Sequence, residues 1–86
     1  MILIVCAVRD SAINAFMRPF YVPAVGAAVR SFNDEVNRKD SELGAHASDY
    51  ELFELGEFFE ETGTFSMLSE PRSLARAKDF VTTGGV

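Results

Sequence analysis

The N-terminal half of the chain contains one apolar run and one amphipathic stretch. Residues 2–8 are continuously apolar and rich in β-branched side chains, which predicts a strand covered on both faces. Over 23–37, apolar side chains recur at spacings of three and four, which predicts an amphipathic helix with Pro23 near its start. Its apolar stripe consists of Val25, Val29, Phe32 and Val36. An internal proline predicts an irregular or edge-strand passage over 16–22, and residues 38–49 read as a loop.

The next segment predicts a β-hairpin. Residues 50–59 are rich in aromatic and aliphatic side chains, but neither alternating set is purely apolar or purely polar. We therefore interpret Gly56 as a bulge that switches the inward face of this strand midway. The residues Glu61-Thr62-Gly63 have the chemistry of a hairpin turn, and residues 64–68 are predicted to form the returning strand.

These elements predict an α+β fold in one domain, residues 1–86. The sheet is expected to be small and mostly antiparallel, with three to four strands and one main amphipathic helix at about 23–37. Ser69-Glu70-Pro71 predicts the start of a short C-terminal helix at about 72–81, in which Leu74, Ala77 and Val81 would share one face. The glycine-containing tail, residues 82–86, is expected to fray.

Composition supports a folded domain in a reducing compartment. The chain has 86 residues, of which 48% are hydrophobic, and this fraction is too high for a disordered segment. Cys6 is the only cysteine, so the chain can form no internal disulfide, and its apolar neighbours predict a buried thiol. The apolar run at 2–8 is far shorter than the roughly 20 residues that span a bilayer. We therefore expect a cytosolic protein without membrane contact.

Charge is distributed unevenly along the chain. The net charge is −5, which argues against a domain that coats nucleic acid by charge alone. Residues 40–70 contain nine acidic and no basic residues, whereas all eight basic residues lie on either side of this segment. An acidic face centred on Glu51, Glu54 and Glu57 could attract a basic protein partner or simply keep the domain soluble.

The sequence contains no recognisable catalytic, metal-binding or nucleotide-binding motif. His46 is the only histidine, and no second titrating group accompanies it in the pattern of a nucleophile and base. One cysteine and one histidine cannot supply a zinc site. The six glycines are scattered, so no phosphate-binding loop is formed. We expect a protein that is not an enzyme, has no catalytic residues and needs no cofactor or metal.

A second group of residues combines cations with aromatic rings near the N-terminus. Arginines contact phosphates and aromatic rings stack on bases, so such a group is suited to single-stranded nucleic acid. The candidates are Arg9, Arg18 and Arg30 with Phe20 and Tyr21, and Phe16 lies nearby in the sequence. The alternative interpretation places these aromatic rings in the core and pairs the arginines with the acidic middle segment.

Several segments together resemble a known family. The most specific is the run at 49–58, Asp-Tyr-Glu-Leu-Phe-Glu-Leu-Gly-Glu-Phe. It is accompanied by Arg18-Pro19-Phe20, Gly26, the run Arg-Ser-Phe-Asn-Asp-Glu-Val-Asn at 30–37, His46 and Thr62-Gly63. In this order and spacing the chain resembles, over about residues 2–81, the small nonstructural protein of gokushovirus-type microviruses. It departs from that pattern at Ala47, where a proline is expected, and at Phe59, where an acidic residue is usual.

The resemblance implies a function in viral DNA synthesis. It implies a nonstructural protein of a single-stranded DNA phage of the Microviridae, acting in the cytoplasm of the infected bacterium. Such a protein is expected to support or regulate single-stranded DNA synthesis and its transition to packaging, through single-stranded DNA, the phage replication initiator, or both. An acidic monomer binds DNA weakly, so a homo-oligomer is expected. The alternative is a protein–protein adaptor that uses the acidic face without touching DNA.

Overall fold

The computed structural model describes residues 1–81, so the predicted frayed tail at 82–86 lies outside the described residues. The strands are β1 (Ile2–Asp10), β2 (Ala15–Phe16), β3 (Phe20–Val22), β4 (Tyr50–Phe59) and β5 (Thr64–Arg76). The helices are α1 (Val25–Val36) and the short α2 (Glu42–Ala45), with 3-10 turns at Ala47–Asp49 and Ala77–Asp79. No helix within residues 1–81 is long and apolar enough to cross a membrane.

All strand pairs of the sheet are antiparallel, and β1 lies at its centre. One side of β1 pairs with β4, which in turn pairs with β5. The other side pairs with the short strands β2, at the C-terminal end of β1, and β3, near its middle. The predicted α+β class, with a small antiparallel sheet and one main helix, is therefore confirmed. The passage at 16–22 supplies the short edge strands that its proline predicts.

One face of the sheet is closed by α1. On β1, the side chains of Cys6 and Val8 point to this face, where they pack with Leu52 of β4 and with the helix. The helix contributes Phe32 and Val36, two residues of the predicted apolar stripe, together with a buried alanine. Apolar side chains from both layers exclude water here, which makes this face the main source of hydrophobic stabilisation.

The predicted bulge in β4 is present beside Gly56. β1 pairs through Val5 with Gly56 but through Cys6 with Glu54, so Leu55 is the extra residue. A Cβ atom built on Gly56 would lie 2.5 Å from the backbone oxygen of Ser66 in β5. Only glycine permits this approach of the two strands. The hairpin turn is also as predicted, with Gly63 at a φ of 70°.

The segment 38–49 is more ordered than the predicted loop. Ser41 caps α2, because its hydroxyl accepts hydrogen bonds from the backbone N–H groups of Leu43 and Gly44. Leu43 is buried in the core cluster, which fixes α2 against the rest of the domain. A four-residue helix leaves no periodic pattern, and tertiary packing rather than propensity holds it.

The predicted C-terminal helix at 72–81 is wrong. Residues 72–76 continue β5, and only the 3-10 turn Ala77–Asp79 follows. The strand is selected by pairing with β4, in which Arg72 lies opposite Glu54 and Arg76 opposite Glu51. Arg72 also forms an ion pair with the nearly buried Glu54. These contacts join residues far apart in sequence, so the local spacing of apolar residues did not reveal them.

Candidate nucleic-acid interface

The face of the sheet opposite α1 carries a cluster of aromatic side chains. Directly paired residues of an antiparallel sheet point to the same face, so the strand register assigns each ring. Tyr21 lies opposite Val5, Phe53 opposite Ala7 and Phe58 opposite Leu3, all on the β1 face that points away from α1. Phe16 and Phe65 join them by pairing with Arg9 and Phe58, respectively. We call this surface the open face; it holds Phe16, Tyr21, Phe53, Phe58 and Phe65.

The rings of the open face form two groups. Phe16 and Phe53 make an edge-to-face pair with their centroids 5.4 Å apart. Tyr21, Phe58 and Phe65 form the second group, with centroids 4.8 Å apart for Phe58 and Phe65 and 5.7 Å apart for Tyr21 and Phe58. These distances fall in the range in which aromatic side chains attract one another. The rings therefore hold each other in place on the sheet.

The open face buries its own strand residues but leaves its rings accessible. Val5 and Ala7 are buried although α1 packs on the other face of the sheet. The outer rings remain in contact with solvent, because Phe16, Tyr21 and Phe65 are 41%, 45% and 51% exposed. Large exposed aromatic side chains at neighbouring positions are unusual on a small domain, and such a patch is a candidate binding surface.

Cations lie at one end of the open face. Arg9 and Arg76 pair with Glu51 from its two sides, so all three side chains lie in one row across the sheet. The Arg9 guanidinium donates a hydrogen bond of 2.6 Å to Oδ1 of Asn14, and that of Arg76 lies 3.3 Å from Oδ2 of Asp79. The Ser73 hydroxyl donates to Glu51.

A small polar cleft adjoins this row. Its volume is about 100 Å³, and its lining includes Arg9, Ser48, Arg76 and Lys78. Each of the three cations carries donors that suit phosphate oxygens. The cleft also contains the carboxylates of Asp49 and Glu51. Because the acidic groups offset much of the positive charge, the cleft suits a single phosphate group better than a run of them.

The predicted nucleic-acid residues do not form one site. Arg9 and Tyr21 lie on the open face, as described above. Phe20 points to the opposite face, where it packs against the core, and Arg18 lines an apolar groove beside it. Arg30 is exposed on the outer side of α1, two residues from the buried Ala28 and therefore turned away from the sheet.

The three predicted acidic residues are also separated. Glu51 lies on the open face between two arginines, whereas Glu54 and Glu57 pair with residues of the β1 face that α1 covers. Glu54 is only 8% exposed and is ion-paired with Arg72. The exposed carboxylates that remain together are those of the hairpin end, at Glu60 and Glu61.

Four residues of this surface were not predicted as site residues from the sequence. Phe53, Phe58 and Phe65 were read only as strand residues, and Arg76 was placed in the predicted helix. The signal that could have found the rings is the bulge at Gly56. With one extra residue between them, Phe53 and Phe58 fall on the same face although their spacing in sequence is odd.

Two further titratable side chains, Cys6 and His46, do not belong to the open face. Burial raises the pKa of the Cys6 thiol to about 11, with the nearby Glu54 carboxylate adding to the effect, so this thiol is a poor nucleophile at neutral pH. His46 is exposed at the C-terminal end of α2. Within residues 1–81, no group of three or more histidine, cysteine or acidic side chains is arranged to hold a metal ion.

The fold and this surface define the class of the protein: a small α+β domain whose sheet has one helix-covered face and one open, aromatic face with two arginines at one end. Comparison with protein families then identifies the chain more closely. The family described as Phage ORF5 protein matches residues 3–80, and the chain belongs to this family. It is therefore a bacteriophage protein. Neither the curated proteins nor the solved structures contain a significant match.

Proposed function

We propose that this phage protein is the small nonstructural protein of a gokushovirus-type microvirus of the Microviridae. In this role it supports or regulates viral single-stranded DNA synthesis and the transition to packaging, in the cytoplasm of the host bacterium. The proposal is supported by the run at 49–58 and by the family match over residues 3–80. It includes no catalytic step, cofactor or metal.

The proposed means is single-stranded DNA binding by the open face. The observation that carries it is the set of half-exposed rings of Phe16, Tyr21 and Phe65 on one sheet face, with Arg9 and Arg76 at its end. Unpaired bases stack on aromatic side chains with about 1–3 kcal/mol per base and little dependence on base identity. In this proposal, Arg9 and Arg76 contact one phosphate beside the stacked bases.

The net negative charge of the protein disfavours binding to duplex DNA. A net charge of −5 opposes approach to the dense phosphates of a double helix. Stacking requires bases that are not already stacked within a duplex, so the open face recognises a property that only the single strand has. The preference for single-stranded DNA therefore follows from the aromatic rings rather than from positive charge.

A second candidate is the protein–protein adaptor without DNA contact. The observation that favours it is the acidic hairpin end, where Glu60 and Glu61 are exposed and residues 57–71 contain no lysine or arginine. A basic viral or host protein would be its partner. In either case the phage replication initiator is the partner that we propose to test first.

The test of DNA binding is fluorescence anisotropy of labelled oligonucleotides at several salt concentrations. We expect binding to the single strand that exceeds duplex binding and weakens as salt rises. Replacing both Arg9 and Arg76 by Ala should reduce the slope of log affinity against log salt by roughly 0.7, because the two arginines contact one phosphate and each phosphate contact on a single strand contributes about 0.7.

The matched control is Arg30→Ala, which removes an exposed cation from the outer side of α1. It should leave both affinity and salt slope unchanged. If Arg30→Ala weakens binding as much as the double variant, DNA does not bind at the open face. No binding at low salt would eliminate direct DNA contact and leave the adaptor function.

A further inference from the structure

The outer edge of β5 is open in the described part of the chain. β5 pairs with β4 on one side, and no described strand pairs with its other side. Such an edge presents unpaired backbone N–H and C=O groups, which form a template for another strand. Folded proteins normally protect an edge of this kind with charged side chains, proline or bulges.

β5 is protected over only part of its length. Between Met67 and Arg72 the register with β4 slips by several residues, and this irregular stretch contains Glu70 and Pro71. Residues 64–68, by contrast, pair regularly with β4 as far as Met67 and contain no charged residue and no proline. Phe65, Met67 and Leu68 are 51%, 52% and 42% exposed there. The unprotected part of the edge is thus also its most apolar part.

We propose that residues 64–68 pair antiparallel with the same residues of a second copy of this chain, about a two-fold axis that passes beside Ser66. A two-fold axis perpendicular to the sheet keeps each side chain on its own face, so residues of the same parity must oppose one another. With Ser66 opposite Ser66 of the second copy, Phe65 lies opposite Met67 and Thr64 opposite Leu68.

This register uses the whole unprotected part of the edge and places no charged residues opposite one another. A centre at Phe65 would bring the turn residue Gly63 into the ladder, and a centre at Met67 would bring in Ser69 from the irregular stretch. The centre at Ser66 avoids both. It also places the exposed Phe65 and Met67 side chains of the two copies against each other, and a methionine sulfur packs favourably beside an aromatic ring.

The evidence for this pairing is the open edge of β5, whereas its consequence for DNA binding rests on the function proposed above. Because the axis is perpendicular to the sheet, both open faces lie on one side of the dimer and both α1 helices on the other. The rings of Tyr21, Phe58 and Phe65 from the two copies then form one continuous aromatic surface. A single strand of DNA would find twice the stacking length that one copy offers.

Salt separates this inference from the DNA-binding proposal. Each copy carries a net charge of −5, and Glu60, Glu61 and Glu70 lie near the proposed junction, so two copies repel each other. Salt screens that repulsion, and we expect dimerisation to strengthen as salt rises. DNA binding should weaken under the same change.

Disulfide trapping tests the register directly. In a Ser66→Cys variant, the two cysteines would lie on the symmetry axis with Cα atoms about 4.5–5.5 Å apart, which is within the range that a disulfide bridges. We expect a covalent dimer under mild oxidation. The native Cys6 is buried and should not interfere, and the unmodified protein serves as the control.

Two further cysteine variants test whether cross-linking follows the proposed register and not random collision between copies. Thr64→Cys and Leu68→Cys should each cross-link poorly alone but form a heterodimer when mixed, since these positions oppose one another only across the axis. Equal cross-linking of Thr64→Cys alone and Ser66→Cys would overturn the register. No cross-linking of Ser66→Cys would overturn the junction itself.

Light scattering provides a measurement without cysteine chemistry. The unmodified protein should show a concentration-dependent dimer, and Met67→Lys should raise its dissociation constant by roughly tenfold or more, because a lysine ammonium would be placed in an apolar strand pair. The matched control is Ile13→Lys, at an exposed apolar residue in the turn after β1; it should dimerise normally. A monodisperse monomer at high protein and salt concentration would overturn the proposal while leaving single-strand binding untouched.

Discussion

The two faces of the same sheet are built from alternating residues of the same strands, yet they differ in chemistry. On the covered face, small and aliphatic side chains such as Cys6, Val8 and Leu52 are closed from water by α1. On the open face, Phe16, Tyr21 and Phe65 remain about half exposed. The first pattern is that of a core, whereas the second retains apolar area that another molecule can bury.

The charged residues of the two faces also differ in how accessible they are to solvent and ligands. Glu54 is the charged residue buried on the covered face, and Arg72 satisfies it within the chain. On the open face, Arg9 and Arg76 make exposed contacts, which solvent screens and a ligand can replace. This difference supports the proposal that the covered face provides stability and that the open face binds a ligand.

The largest expected effect is a difference in the free energy of unfolding that is lost when a side chain of each face is truncated. Leu52→Ala should lower the free energy of unfolding by about 2–5 kcal/mol, because it leaves a cavity in the closed core. Phe65→Ala should lower it by about 1 kcal/mol or less, since its ring is half exposed. Urea unfolding of both variants measures the difference, and equal losses would mean that the open face is structural.

Two glycines, Gly56 in β4 and Gly26 in α1, give the second prediction. Gly56→Ala should destabilise the protein by about 3 kcal/mol, because its Cβ atom would lie 2.5 Å from the Ser66 oxygen and 2.7 Å from the Met67 Cα atom. Gly26→Ala should stabilise it by about 0.5–1 kcal/mol, because the added methyl group meets nothing within 4 Å and alanine favours a helix. Thermal unfolding distinguishes the two signs; a neutral Gly56→Ala would contradict the close approach of β4 and β5.

The buried thiol of the covered face gives a prediction for alkaline pH. The Cys6 pKa is raised from 9.0 to about 11 in the folded protein, so the unfolded chain releases this proton first as pH rises. Stability should therefore fall between pH 9 and 11, by at most about 2–3 kcal/mol from this group, and stay constant below pH 9 in this respect. Unfolding curves of the protein and of Cys6→Ala should converge in this window, and a parallel pH dependence would show that Cys6 does not contribute.

The elements that rest on local sequence were predicted well. The helix follows from apolar spacing within one segment, and it begins at Val25, two residues later than predicted, because Ala24 is still extended. The strand at 50–59 and its bulge also have local signals in β propensity and Gly56. The class of the fold follows from these elements alone.

The errors concern contacts between distant residues. The end of β5 was predicted as a helix because Leu74, Ala77 and Val81 have helical spacing, whereas pairing with β4 selects the strand. The open face was missed for the same reason. Which face Phe58 occupies depends on the extra residue Leu55 and on the register with β1, and neither can be obtained from the spacing of side chains alone.

Tyrosine fluorescence during titration with a single-stranded oligonucleotide tests the central claim, that unpaired bases stack on the open face, most directly. The chain has no tryptophan and two tyrosines: Tyr21 is half exposed on the open face and Tyr50 is buried in the core. Stacking of a base should quench the fluorescence of Tyr21. The quench should therefore persist in Tyr50→Phe and disappear in Tyr21→Phe. Because Tyr21→Phe keeps a ring on which a base can stack, its affinity for DNA measured by anisotropy should be unchanged. A quench that survives in Tyr21→Phe, or DNA binding without any quench of the unmodified protein, would contradict the account.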